Sequence, residues 1–236
     1  MRNKNQIQFF FEFILTLMLF FFIGCVAAPK GNHLDGSETL TNQPDMNSTI
    51  HWTDLPKPAK KQLVAIAGFE NRSTYSADKL WDTSGQLLAA NMIRAGYFRV
   101  VEWERMKTLF DWDALSNVDL IKSPDNMKKA QRILLCEYFI SGAITYFDVS
   151  RQNYVSAMSK NKTYETTIRV DLLLQNAKTG EYLATGAGEH TVKQVFKGTF
   201  SGGQTGTWSP RAADKALNLA IQKALFELIS SFHLNS

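Results

Sequence analysis

The side chains that most often do chemistry are few in this chain of 236 residues, and their spacing does not suit it. Four histidines, His33, His51, His190 and His233, lie far apart, and no two have the separation of a metal-binding pair on one helix face. No Gly-x-Ser-x-Gly string offers a strained nucleophile turn, and Gly202-Gly203-Gln204-Thr205-Gly206 lacks the Lys and Ser or Thr that complete a phosphate-binding loop. Asp111 and Asp113 flank Trp112, so on a helix they point apart. Glu102 and Glu104 share a face only if a strand runs through them, and otherwise they are solvated or paired with Arg105. No catalytic residue, metal ligand or cofactor-binding residue is assigned, and the chain reads as non-enzymatic.

Two thiols remain. Cys136 sits among Leu134, Leu135, Tyr138 and Phe139 and reads as a buried core cysteine. Cys25 has a different setting: Arg2 and Lys4 precede a near-continuous apolar run from Phe9 to Gly24, which is the layout of an export signal. The run closes as Phe22-Ile23-Gly24-Cys25, which resembles the lipobox of bacterial lipoproteins. That resemblance implies cleavage before Cys25 and attachment of fatty acyl chains such as palmitate to it. Each buried methylene contributes ~0.8 kcal/mol and one chain holds only marginally, so stable anchoring needs more than one. An uncleaved membrane helix is the competing reading, because Val26, Ala27 and Ala28 extend the run to about 20 residues. Glu12 inside the run weakens that alternative. With residues 1–24 removed, Cys136 has no partner except the lipidated Cys25, so no intramolecular disulfide is expected. The absence of an acid at position 26 favours the outer membrane, by analogy with enterobacterial lipoproteins.

The elements that must hold any working surface follow from periodicity. Hydrophobic residues make up 44% of the chain, enough for a core, and a net charge of +4 without a basic block gives no nucleic-acid footprint. Residues 25–60 read as a lipidated, flexible tether rich in Pro, Gly, Asn, Ser, Thr and Asp, and residues 61–236 as one α/β (α+β) domain with a mixed sheet. Leu63–Phe69 is a buried strand, with Glu70–Ser73 as its polar turn. Helical spacing over Ser76–Ala95 ends at Gly96, and Phe98–Glu102 is a strand whose connection predicts parallel pairing. Helices are expected at Arg105–Leu115 and Pro124–Leu135, the latter capped by Ser123. The period then becomes two: Ile140–Val149, Tyr164–Leu174 and Tyr182–Lys197 are antiparallel strands, the last two joined by a turn at Asn176–Glu181. A helix from Pro210 to Ile229, capped by Ser209, carries a wide apolar stripe through Ala213, Leu217, Ala220, Ile221, Ala224, Leu225 and Leu228.

Several local strings, in this order, resemble the CsgG family of outer-membrane lipoproteins. They are Val64–Asn71, Gly85–Leu88 through Gly96–Arg105, Ser141–Tyr146, and Ile168–Leu172 with Thr179–Glu181, and the similarity covers residues 61–230. The resemblance implies a periplasmic α/β domain that forms a ring, in which each subunit gives two hairpins to an outer-membrane barrel that passes curli-like fibre subunits. The segment Asn71–Asp78 looks shorter than the family's constriction segment, so no constriction residue is carried over. Ser156–Lys162 would be the tip of the first hairpin. A second, shortened hairpin would use residues 188–197 and 199–208, with Val192, Phe196 and Phe200 on one face beside Gln194 and Gly198. A membrane strand needs ~9–11 residues, and Asp148, Arg151, Gln152 and Asn153 interrupt any lipid-facing band. Whether the hairpins span the membrane is left open. The alternative is an LpoB-like lipoprotein that activates a penicillin-binding protein; Asn71-Arg72-Ser73 and short hairpins suit it. The expected partners are further copies of the chain together with a secreted fibre subunit or, on the alternative, a periplasmic synthase.

Overall fold

The computed structural model describes residues 39–42, 50–75, 80–110, 123–155, 159–199 and 206–234. Four helices and a mixed six-stranded sheet make up this part of the chain. In chain order these are β1 (Thr39–Asn42), β2 (Leu63–Asn71), α1 (Leu80–Ala95), β3 (Arg99–Val100), α2 (Trp103–Leu109), α3 (Pro124–Leu134), β4 (Tyr138–Val155), β5 (Ser159–Asn176), β6 (Tyr182–Thr199) and α4 (Pro210–Leu234). The sheet order is β1-β6-β5-β4-β2-β3. β2 pairs in parallel with β3, as the strand–helix–strand reading requires, and also in parallel with β4, while β4, β5, β6 and β1 run antiparallel in turn.

The core forms where the period-two strands meet the 3.6-period helices. Ile168, Val170, Leu172 and Leu174 alternate along β5 and are wholly buried on the face that α4 covers. α4 buries Ala216, Leu217, Ala220, Ile221, Ala224, Leu225, Leu228 and Ile229, and full burial of one Leu or Ile contributes about 1.5–3 kcal/mol. α4 can come this close because β6 presents Gly186 and Gly188 to it. A Cβ at Gly186 would overlap the Ala224 carbonyl oxygen, and one at Gly188 the Ala220 carbonyl oxygen. α1 lies beside α4, where Asn91 Nδ2 donates to Asn218 Oδ1 at 2.8 Å.

Punctuation follows local chemistry. Gly96 takes φ +64° after α1 and Gly180 takes φ +77° in the β5–β6 turn, both left-handed values that favour glycine. Asn176 Oδ1 accepts from the Lys178 and Thr179 N–H groups at 2.9 and 3.2 Å and so shapes that turn. Ser209 Oγ accepts from the Arg211 N–H at the start of α4. Ser123 occupies the cap position of α3 without a side-chain hydrogen bond.

Some elements depart from the sequence reading. The strand expected over Phe98–Glu102 is only Arg99–Val100, because Trp103 already begins α2. α2 ends at Leu109, and 111–122 lie outside the described residues. β4 and β5 each run to 18 residues, well past the Val149 and Tyr164 limits. α4 continues to Leu234. The segment read as a tether also packs on the domain: Thr39–Asn42 adds an edge strand beside β6, and Leu55 is buried in the core.

Candidate functional site

The lengthened strands build a three-stranded extension, and it is the most distinctive working surface of the fold. β2 last pairs with β4 at Ile144, whereas β4 continues to Val155. Over that stretch β4 meets β5 on one side only, and its other edge is uncovered by any described strand. β5 is paired on both sides out to Lys160, which stands opposite Val155 of β4 and Gly198 of β6, and Ser159 still faces Thr199 of β6.

The register separates the two faces of the extension. Phe147, Val149, Arg151, Asn153 and Val155 share the α4 side with Lys162, Tyr164 and Thr166 of β5 and with Val192, Gln194 and Phe196 of β6. The opposite face carries Asp148, Ser150, Gln152 and Tyr154, then Asn161, Thr163, Glu165 and Thr167, then Thr191, Lys193 and Val195. Lys193 and Glu165 form an ion pair at 2.8 Å across that face, and Thr167 and Thr191 share a hydroxyl hydrogen bond at 2.8 Å. Neither face is the apolar band that lipid demands, and a Lys or Arg facing lipid at mid-bilayer costs ~2–4 kcal/mol.

The second hairpin expected from the sequence is not formed by its return strand. Residues 200–205 lie outside the described residues, and Gly206–Ser209 are not a strand but a strap laid across the α4-side face. Three contacts hold it. Lys162 Nζ donates to the Gly206 carbonyl at 3.1 Å, Trp208 Nε1 donates to Thr166 Oγ1 at 2.9 Å, and the Ser209 N–H donates to Gln194 Oε1 at 3.2 Å. Gly206 lies against the Phe196 ring so closely that a Cβ would overlap it. Polar side chains at inward positions thus satisfy the strap's backbone, in place of a strand ladder. Lys162, expected in an exposed tip, is buried here with its ammonium 4.8 Å from the Tyr164 ring centroid. The tip itself, 156–158, is outside the described residues. Beside the strap, Trp208, Tyr75, Phe147 and Val149 line a cavity of about 350 Å³, with Tyr75 and Phe147 stacked at 4.0 Å. Asn71 shapes the approach to it, accepting from the Ser73 N–H and donating to the Tyr75 carbonyl.

The other candidate residues are scattered. Cys25 and His33 lie outside the described residues, as do Asp111 and Asp113. His190 is buried under α4, His51 lies before the short 3-10 turn Trp52–Asp54, and His233 approaches the Tyr97 hydroxyl at 3.3 Å. Glu102 and Glu104 do not share a strand face, and Glu104 pairs with Lys107 at 2.7 Å, not with Arg105. Lys107 also reaches Asp82 at 3.4 Å, and Asp82 Oδ1 accepts from Trp103 Nε1 at 2.8 Å. The hydrogen bond to Glu104 is the main reason the Lys107 ammonium is held above its ordinary range. Among the described residues, no three His, Cys, Asp or Glu side chains converge as a metal site would need.

Cys136 is buried, and burial, helped by the Glu137 carboxylate, pushes its thiol up to about 12. It therefore stays protonated at neutral pH and is a poor nucleophile. The folded state holds this proton more tightly than the unfolded chain does. The linkage is silent below pH ~9 and lowers stability as pH rises from there towards about 12.

Residues 46–234 match the family model described as "Curli production assembly/transport component CsgG". No curated protein sequence matches the chain. Among solved structures, the chain is similar to a lipoprotein of Neisseria meningitidis at 13% identity, covering 61% of this chain and 88% of that one with a TM-score of 0.38. It is similar to the PelC dodecamer of Paraburkholderia phytofirmans at 15% identity, 74% and 91% coverage and a TM-score of 0.38. The LpoB C-terminal domain of Salmonella enterica is a further likeness at 12% identity, 59% and 98% coverage and a TM-score of 0.37.

Proposed function

Because this chain belongs to the CsgG family, we propose that it is a lipid-anchored subunit of a ring at the periplasmic face of the outer membrane, serving secretion or assembly of curli-like extracellular fibre protein. The observation that carries the reading is the extension: three long strands stand beyond the core, and the Asp148–Val155 edge of β4 has no described partner strand. A bare edge of that length is a template for pairing with another chain, and proteins that stay monomeric cover or blunt such edges. Head-to-tail pairing of two different edges closes into a ring when the rotation allows.

The polar faces favour an extension in water: on this reading the ring sits on the membrane by its anchors and does not cross it with these strands. No helix among the described residues is long and apolar enough to cross a membrane, and the lipobox-like string ending at Cys25 supports attachment through acyl chains there. The chain's part in the process is structural: it positions and gathers, and no bond is made or broken by it.

Deletion of the gene, followed by quantification of surface fibre by immunogold labelling, tests the function. Fibre output should fall at least tenfold and return with the wild-type gene. Unchanged fibre, together with co-purification and stimulation of a transpeptidase, would replace this reading by the synthase-activator one.

A further inference from the structure

The direction of the strands limits how copies can join. β5 is antiparallel to both β4 and β6, so β4 and β6 point the same way. In a ring whose copies are related by rotation about an axis along the strands, a direct junction from β6 of one copy to β4 of the next would be parallel. β1 is antiparallel to β6. With β1 counted, the repeating unit has four alternating strands, and the next copy's β4 meets β1 antiparallel, like every other pair in the extension.

The register puts β1 at the matching level. Thr39 stands opposite Val195, Val195 opposite Thr163, and Thr163 opposite Gln152. Asn42 leads in the same way through Val192 and Thr166 to Val149. β1 thus lies level with Val149–Gln152, inside the stretch of β4 that no described strand covers. Nearer the core, the β6 edge is met from α4 at Ala187 and Glu189. Glu227 Oε2 accepts from the Ala187 N–H at 2.9 Å, and Lys223 Nζ donates to the Glu189 carbonyl at 3.1 Å. Side-chain capping of this kind blunts an edge against intruding strands. In the extension, the edges that no described strand covers are the outer edge of β1, the far edge of β4 and the last residues of β6, 196–199; of these, the β1 and β4 edges run antiparallel to each other in successive copies.

We infer that β1, drawn from the segment that leads to the anchor, supplies the fourth strand of each repeating unit, and that its outer edge docks on Val149–Gln152 of a second copy. It stands where the return strand of a second hairpin would otherwise lie, while the strap after β6 turns away across the sheet face. The inference rests on the ring-subunit reading and names its contacting surfaces. It also gives the N-terminal segment two roles, attachment and closure, so that membrane binding and assembly share one stretch of chain.

Cysteine pairs in the full-length lipidated protein test it. Thr41 is level with Ser150 through Lys193 and Glu165, so Thr41→Cys is combined with Ser150→Cys. Combination with Asp148→Cys or Gln152→Cys instead allows a stagger of two residues either way. Membranes are oxidised mildly and the products separated without reductant, while native mass spectrometry records the oligomeric state of each variant. One of the double variants should give a ladder of covalent multimers at least tenfold above either of its single variants, with the buried Cys136 contributing none. Oligomers by native mass with no ladder from any of the three pairs would overturn the β1–β4 junction and leave the ring reading standing. Monomers by native mass would overturn both.

Discussion

Replacement of Gly188 by alanine is expected to destabilise the domain by about 3 kcal/mol, the upper part of the range for overpacking a closed core, and the same change at Gly186 should do likewise. The reason is where the added methyl would go. At both sites the obstacle is α4 backbone, the carbonyl of Ala220 or Ala224 and the amide that follows one turn on, so no side chain can rotate aside. Relief requires that α4 lift from the sheet, which loosens the contacts of Leu217, Ile221, Leu225 and Leu228 together. Urea unfolding of the soluble domain would show a lower midpoint with an unchanged slope. The two variants combined should exceed either alone yet fall short of the sum, because one helix movement relieves both. A midpoint within experimental error of wild type in both variants would contradict the close docking of α4 on β6.

Cys25→Ser is expected to release the protein from the membrane fraction almost completely, with a fall of about a hundredfold or more in the bound share once the acyl chains are lost. The described domain has no apolar strand face or membrane-length helix to hold it instead. Carbonate washing of membranes followed by intact-mass measurement separates the outcomes. Wild type should carry the acyl mass on a chain that begins at Cys25, and the serine variant should carry none. A wild-type chain that keeps Met1 and carries no acyl mass would sink the anchor reading and restore the uncleaved-helix alternative.

Much of the fold was legible in the sequence, because the central elements obey one period each. The β2 run Val64–Phe69, the alternating β5 core from Ile168 to Leu174 and the α4 stripe bury the residues that their patterns select, apart from Ala213, which is only half-buried. The parallel β2–β3 pair follows from the strand, helix, strand order, and the antiparallel β4, β5 and β6 from the change of period after Cys136, whereas the parallel β2–β4 pair is a tertiary fact that neither pattern encodes. The extension was harder. Beyond Val149 both faces of β4 are polar, so hydrophobic alternation stops although the ladder with β5 continues to Val155. β1 is four residues of Thr, Leu and Asn in a polar segment, and its pairing with β6 is a tertiary fact that local propensity does not encode.

The strap was missed for a related reason. Its partners Lys162, Thr166 and Gln194 are polar residues at inward positions, and a polar pattern is ordinarily read as a solvated surface. A trace of it was visible, since Gln194 was seen to share a face with Val192 and Phe196. That face is covered by Gly206–Ser209. Glu102 and Glu104 form no acid pair because Trp103, buried and bonded to Asp82, starts a helix as soon as the expected strand would end, which leaves both carboxylates exposed, as the solvated alternative had it.

The oligomeric mass of the lipidated protein, extracted from outer membranes in a mild detergent and read by native mass spectrometry, tests the central claim most directly. The ring reading predicts one closed species, a fixed multiple of the acylated chain, that holds its mass on dilution. A single acylated chain at every concentration would contradict it.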